Sequence, residues 1–471
     1  MKLSPILHFA ALSAALVIPD EEVLSEIATE SRKIGSSIYK EIESSFSDAV
    51  ESSKNALDTA LASLSHTTSS FNDKVHDTAY DVDAWFNSHL PFEDFGGGEH
   101  PPHHGPPHDG PPHHGPPHHG PHHPPHHGKP NMTVYQLIAE SKYTTKLAKL
   151  INDDEDLVRL LNGTTANFTV FAPTDHAFEK IPEHAPKPSK EMIRKLLSYH
   201  ISPDFYPARR VLKTHTIPTI LGEPSLGKKP MPQRLAVKLT LRGLTLNYYA
   251  RVVAVDIFGT NGVIHGLDDI IIPPPKTLEI IDLFPTEFST LELGLGKTGL
   301  LDTLNTTAHA GGTFFAPSNF AFRKLGPKIN AFLFSKYGLK YLKGLLEYHV
   351  VVNQTLYSDA FYKGTGEESM DHHDGNGYFH VDLPTLLDDR SLSVDVARYG
   401  PFISIKVNGF SRVTVQDGVA KDGVIQVVSD VLIPPKKLGG AQVEYWTGEE
   451  MSVEEFMERL EPFVQDDRMD L

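Results

Sequence analysis

Thr169-Val170-Phe171-Ala172-Pro173-Thr174-Asp175-His176-Ala177-Phe178 reads as a short apolar strand that stops at a proline and turns into a helix. The same grammar returns 144 positions later as Thr313-Phe314-Phe315-Ala316-Pro317-Ser318-Asn319-Phe320-Ala321-Phe322. Other landmarks repeat in the same order. Thr133-Val134 recurs as Thr277-Leu278, Tyr199-His200 as Tyr348-His349, and Gly262-Val263-Ile264 as Gly423-Val424-Ile425. Each copy closes on Ile-Pro-Pro, at Ile272 and Ile433. A fixed order of landmarks means a duplicated domain, of a size at which one hydrophobic core is comfortable. The offset grows from 144 to 149 to 161, so the second copy carries insertions.

Within each copy the pattern predicts helices, one strand, more helix and then several strands. Residues 133–151 and 277–304 carry helical periodicity, as do Lys190–Tyr199 and Phe332–Tyr348. Phe168–Phe171 and Thr313–Phe315 read as strands stopping at proline. The later halves, Leu235–Ile272 and Leu392–Ile433, alternate in the manner of Val237-Lys238-Leu239-Thr240-Leu241. The expected class is α+β with mainly antiparallel strands. The proline ends the strand, and Thr174 or Ser318 is placed to cap the helix behind it.

Composition narrows the partners. The 471 residues carry a formal charge of −17 and no basic cluster, which argues against nucleic acid. Full protonation of the 26 histidines would bring the charge to about +9, so its sign changes in mildly acidic surroundings. There is no cysteine, so the domains must be stable without disulfides. Lys2 followed by the largely apolar Ile6–Ile18 reads as a signal peptide over residues 1–18, the alternative being a buried helix. No stretch is long and apolar enough to read as a transmembrane segment. Asn131, Asn162, Asn167, Asn305 and Asn353 open Asn-x-Thr sequons, which fits export and glycosylation.

Two segments precede the repeat. Residues 19–95 show apolar spacings of three, four and seven, from Leu24 through Val50, Leu57, Leu64 and Phe71. They predict an amphipathic helical segment capable of self-association, or else a weakly packed helix or removable pro-segment. Residues 96–130 form a disordered His/Pro/Gly-rich linker, stiff and solvated. Its paired imidazoles, His103, His104, His113, His114, His118, His119, His122 and His123, suit Zn²⁺, Cu²⁺ or Ni²⁺. Such binding is adventitious or buffering in kind, because nothing fixes the geometry. No other cofactor is expected. Asp371-His372-His373-Asp374, inside an insertion of the second copy, reads as an acidic loop with a ligand-like look.

The repeated blocks resemble the fasciclin-like domain family. Phe171-Ala172-Pro173-Thr174-Asp175 with Ala177-Phe178 matches its first block, Tyr199-His200 its central pair, and Asn261-Gly262-Val263-Ile264-His265 with Asp268 and Pro273-Pro274 its closing block. The second copy departs at the end, where Gln426 stands in place of the closing histidine, and this puts the equivalence of the copies in question. The resemblance implies fasciclin-like domains at 131–275 and 276–437, followed by an acidic tail over 438–471. In the family the Tyr-His surroundings and closing block are linked to adhesion. That nominates Tyr199, His200, Asp268, Tyr348 and His349 as interaction residues. Read as residues alone, Tyr199 and Tyr348 bury their rings while the hydroxyl or the neighbouring His bonds to backbone, and His265 reads as a structural histidine.

No Gly-x-Ser-x-Gly, His-Glu-x-x-His or phosphate-cradling glycine loop is present, so no enzyme is expected. The reading is a secreted, glycosylated interaction protein with two compact units that resist proteolysis, cleavage falling around residues 96–130. Its partner would be a cell-surface or matrix protein or polysaccharide, in adhesion or cell-wall association. The alternative is a metal-buffering or pH-responsive protein of a vacuole lumen, acting through the His-rich tract.

Overall fold

The computed structural model describes residues 130–463, apart from short stretches at 165–166, 182–187, 241–242, 307–308, 370–375, 389, 400–401 and 440–441. The expected signal peptide, helical segment and His-rich linker, with its metal candidates, lie outside the described residues, as does Asp371–Asp374.

The first copy opens with α1 (Val134–Glu140), α2 (Thr145–Asn152) and α3 (Glu155–Asn162). Thr133 and Gln136 form a capping box on α1, and the Asp154 carboxylate accepts two N–H groups at the start of α3. Then come β1 (Phe168–Pro173), α4 (Asp175–Glu179), α5 (Lys190–Tyr199), β2 (Ile201–Ser202), α6 (Ala208–Val211), β3 (Thr216–Glu223), β4 (Met231–Thr240), β5 (Gly243–Leu246), β6 (Ala250–Gly259) and β7 (Gly262–Leu267). The sheet runs β2-β1-β7-β6-β5-β4-β3. Its strand pairs are antiparallel except β1 with β7, which run parallel one strand in from the β2 edge. Those two strands are buried throughout, which is why they read as continuous apolar runs.

The second copy repeats this plan with α7 (Thr277–Asp282), α8 (Pro285–Lys297), α9 (Leu300–Thr306), β8 (Gly312–Pro317), α10 (Asn319–Lys324), α11 (Gly326–Leu333), α12 (Leu339–Glu347) and β9 (Val350–Val352). Where the first copy places α6, the second places a separate three-stranded sheet of β10 (Gln354–Leu356), β11 (Phe361–Lys363) and β12 (Glu367–Ser369). It continues with β13 (Asn376–Pro384), β14 (Ser391–Tyr399), β15 (Phe402–Val407), β16 (Ser411–Ala420) and β17 (Gly423–Val428). The large sheet runs β13-β14-β15-β16-β17-β8-β9, again with one parallel pair, β8 with β17. The hairpin β18 (Lys436–Gly439) and β19 (Gln442–Glu444) and the helix α13 (Val453–Leu460) follow.

Three local readings are corrected. Ser318 caps α10 by accepting from Ala321 N–H, but Thr174 makes no such bond; its hydroxyl donates to Leu267 C=O and ties the helix start to β7. The helix expected over Phe332–Tyr348 is broken, because a turn with bonds from Ser335 and Gly338 separates α11 from α12. The N-terminal helices align one residue away from the sequence match. Val134 and Thr277 hold the same first-turn position, so Thr133 corresponds to Lys276.

Two core clusters lie within each copy, and a fifth joins them. Leu226, Met231, Ala236 and Tyr248 of the first pack with Tyr357, Ala360, Tyr362, Val419 and Val424 of the second. Each copy thus keeps core clusters of its own, as two tandem domains do, and the described residues together fall in one compact unit.

Candidate interaction surface

The Tyr-His pairs are interior fasteners. Tyr199 and His200 end α5, and both are buried. The Tyr199 hydroxyl donates to Arg234 C=O at 2.8 Å and accepts from Asn247 Nδ2 at 2.9 Å. His200 Nδ1 donates to Leu196 C=O at 2.8 Å, and its Nε2 accepts from Ile271 N–H at 2.9 Å. The second copy repeats the set. Tyr348 bonds to Ser391 C=O and Asn408 Nδ2, and His349 bridges Leu345 C=O and Leu432 N–H. Each histidine is neutral with one fixed tautomer, and burial pulls both pKa values down to about 4. These four nominated residues present no surface to a partner. Asp268 is different: half-buried, it holds Arg251 through its N–H at 2.8 Å and its Nε at 3.2 Å.

The divergent closing position is structurally equivalent in the two copies. In β6 a bulge puts Asp256 at φ 56°, and in β16 a bulge puts Asp417 at φ 60°. His265 Nε2 donates to Tyr206 C=O at 2.8 Å, and its Nδ1 accepts from Asp256 N–H at 3.4 Å. Gln426 Nε2 donates to Leu356 C=O at 2.8 Å, and its Oε1 accepts from Asp417 N–H at 3.1 Å. An amide thus reproduces both bonds of the imidazole without a titrating group.

The inserted sheet β10-β11-β12 builds the seam between the copies. Asp359 sits on the β10–β11 turn, and its Oδ2 accepts from His215 N–H at 2.9 Å and Thr216 N–H at 2.7 Å. Its Oδ1 accepts from the Thr216 hydroxyl. Arg234 on β4 is 0% exposed. It donates to the Thr216 hydroxyl at 2.6 Å, the Tyr362 hydroxyl at 2.9 Å, Glu368 Oε1 at 3.0 Å and Thr216 C=O at 3.2 Å. Its guanidinium lies 5.6 Å from the ring centroids of both Tyr357 and Tyr362, which meet edge to face. Burial alone would raise the Asp359 carboxyl, but Arg234, His215 and Thr216 hold it below the usual carboxylate range. Gln233 Nε2 donates to Ala420 C=O at 3.0 Å, and the Tyr248 hydroxyl donates to Gln416 C=O.

One face carries exposed aromatics. Along β13 and its partners, Phe379, Val381, Leu383, Leu392, Val394 and Val396 face a core, and the alternate residues face out. The outward set includes Tyr378 (70% exposed), Tyr399 (51%) and Phe402 (39%), one on each of three adjacent strands. Tyr399 lies opposite Phe402, and Tyr378 is diagonal to Tyr399. On the other diagonal of Tyr378, Asp395 accepts from the Tyr378 hydroxyl and from His380 Nδ1 at 2.7 Å. The hydrogen bond to Asp395 raises the His380 pKa and, with that from Tyr378, lowers the Asp395 pKa. Sequence reasoning missed this set, although Tyr378-x-His380-x-Asp382 alternating with Phe379, Val381 and Leu383 signals an outward polar-aromatic face.

All five sequon asparagines are exposed. Among the described residues, no group of three or more His, Asp or Glu is placed to hold a metal ion. No helix among them is long and apolar enough to cross a membrane.

The model of the fasciclin domain family matches residues 142–273 and 286–434. This chain belongs to that family. Aurofusarin biosynthesis cluster protein S of Gibberella zeae is 32% identical over 65% of this chain and 78% of its own length. Stabilin-2 of Rattus norvegicus is 28% identical over 42% of the chain, and human periostin 24% identical over 57%. The chain spans only 14% of that stabilin-2 and 28% of that periostin. A solved FAS1 domain pair from the insect cell adhesion molecule fasciclin I aligns at 19% identity over 61% of this chain and 96% of that one, with a TM-score of 0.29.

Proposed function

We propose that this protein is an exported, glycosylated interaction protein without catalytic activity. It attaches to a cell-surface or matrix protein or polysaccharide through its fasciclin domain pair. The observation that carries this reading is the row of Tyr378, Tyr399 and Phe402 on the outer face of β13-β14-β15. Exposed tyrosines in a group are over-represented at binding surfaces, since each offers large apolar area at little entropic cost. The family membership and the exposed sequons support the same reading. The test is attachment of the purified full chain to cells or cell-wall fractions. Replacing Tyr378, Tyr399 and Phe402 together by Ser should lower attachment about tenfold or more, with the unfolding midpoint unchanged. Undiminished attachment would overturn the assignment of this face.

A second reading rests on the twelve imidazoles between His100 and His127. They would act as a weak Zn²⁺ or Cu²⁺ buffer in an acidic lumen such as a vacuole. Calorimetric titration of the full chain against a chain lacking 100–128 tests it, and equal heats in both would exclude it.

A further inference from the structure

The second domain holds a cleft where the first is stitched shut. In the first, Asn261 Oδ1 accepts from Val134 N–H at 2.9 Å, and its Nδ2 donates to Leu161 C=O at 2.8 Å and Gly163 C=O at 2.6 Å. The Thr133 hydroxyl adds a bond to Asn162 Oδ1 at 2.8 Å. Together they sew the start of α1 to the end of α3 and to β7. In the second domain the same two positions are Asp422 and Lys276. Asp422 still holds the helix start, accepting from Thr277 N–H and Oγ1 at 2.8 Å each. As a carboxylate it has no N–H for the carbonyls at the end of α9, and Lys276 has no hydroxyl for Asn305.

A cleft of about 200 Å³ lies at this place, between the start of α7, the end of α9 and strands β8 and β9. Leu278, Leu304, Phe314 and Val352 form its apolar wall; Lys276, His309 and Asp422 stand among its polar lining. One Asp422 oxygen is occupied by Thr277, and the other faces His309 Nε2 at 3.9 Å. The Lys276 ammonium is exposed and has no carboxylate partner among the described residues. Lys276 is thus a cation that no carboxylate of the lining engages at ion-pair distance, beside an apolar wall. The volume is below that of drug-sized pockets and suits one ring or a short branched chain.

We propose that this cleft binds a small amphiphilic acid, with its apolar body on Leu278, Leu304 and Phe314 and its anionic group against Lys276. The site is separate from the outer aromatic face, so failure of one leaves the other standing; Asn305 lies in the lining, so the cleft is open where that sequon carries no glycan.

The full chain, produced in bacteria so that Asn305 carries no glycan, is titrated with 4-ethylbenzoate and with uncharged 4-ethylbenzyl alcohol, read by ligand-observed NMR. The acid should bind saturably and about three- to fivefold tighter than the alcohol, the range of one exposed ion pair. Lys276→Met should remove that preference while leaving the alcohol's affinity within about twofold. Leu304→Trp, or Val352→Phe should the first fail to fold, should weaken both probes by filling the wall. No saturable binding, equal affinity for both probes, or an acid preference that survives Lys276→Met would each overturn the proposal.

Discussion

At the scale of single residues, the family's polar signatures act inside the fold. Tyr199, His200, Tyr348 and His349 each satisfy backbone groups where α5 or α12 meets the strands, and His265 does so at the β6 bulge. A buried neutral histidine gives a definite acid response. The folded-state pKa values of His200 and His349, about 4, lie below the ordinary value of 6.5. Between those values the unfolded chain takes up protons that the folded chain does not. Their stabilising share is therefore complete above about pH 6.5 and falls as pH drops toward about 4, by about 3 kcal/mol for each. Burial depresses the His265 pKa in the same sense, opposed by its bond to Tyr206 and by Asp256. Gln426 shows that an amide makes the same two bonds. His265→Gln should accordingly cost no more than about 1 kcal/mol at neutral pH. It should also lose less stability than the parent when urea midpoints at pH 7.5 and 5.0 are compared. An equal loss in both chains would sink the argument. Much of this was legible in advance: a tyrosine and histidine closing an amphipathic helix are placed to turn inward. Whether Gln could stand in for His was not, since that depends on two backbone groups distant in sequence.

At the scale of elements, the parallel strand pair in each large sheet sets a severe steric demand. Gly262 opens β7 beside β1, and a Cβ there would fall 2.2 Å from Phe168 C=O. At Gly423 it would fall 2.3 Å from Gly312 C=O. Neither backbone contact can yield without parting the parallel pair. Gly262→Ala should therefore cost about 3 kcal/mol or more, seen as a lowered unfolding midpoint. Gly377→Ala on β13, where nothing lies within 4 Å of the added carbon, should change stability by less than about 0.5 kcal/mol. Similar losses from both would show that chain flexibility, and not the close approach, decides. The strands and most helices were readable because period-two and turn-spaced apolar patterns are local. The break between α11 and α12 was not, because apolar residues continue at helical spacing through a segment that turns. Thr174 was misjudged for a similar reason: its hydroxyl had a stronger claim on it from β7 than from its own helix.

At the scale of the molecule, the duplication turns into one body through residues that the repeat does not share. The growing offset between the copies revealed an insertion, but no local pattern says that Asp359, Tyr357 and Tyr362 reach the other copy's β3 and β4. A lone arginine at Arg234, between Gln233 and an apolar run, was the available signal, and it reads equally well as an outward charge. The seam's energetics follow from its burial. Arg234 and Asp359 stand 3.9 Å apart, and both are buried, so removing this carboxylate leaves the guanidinium with partly exposed Glu368 as its counter-charge and takes the acceptor from the Thr216 and His215 N–H groups. Breaking such a pair costs about 3–5 kcal/mol, whereas replacing both charges with apolar residues of similar size costs far less. Asp359→Ala should thus weaken the seam specifically, splitting the calorimetric unfolding of the intact chain from one transition into two. Asp359→Leu combined with Arg234→Met should recover a large part of the loss and return a single transition. Were Asp359→Ala to lower one undivided transition by less than about 1 kcal/mol, the charged pair would contribute little, and the two domains would be held by the apolar cluster around Leu226, Tyr248 and Tyr357 with the Gln233 and Tyr248 hydrogen bonds.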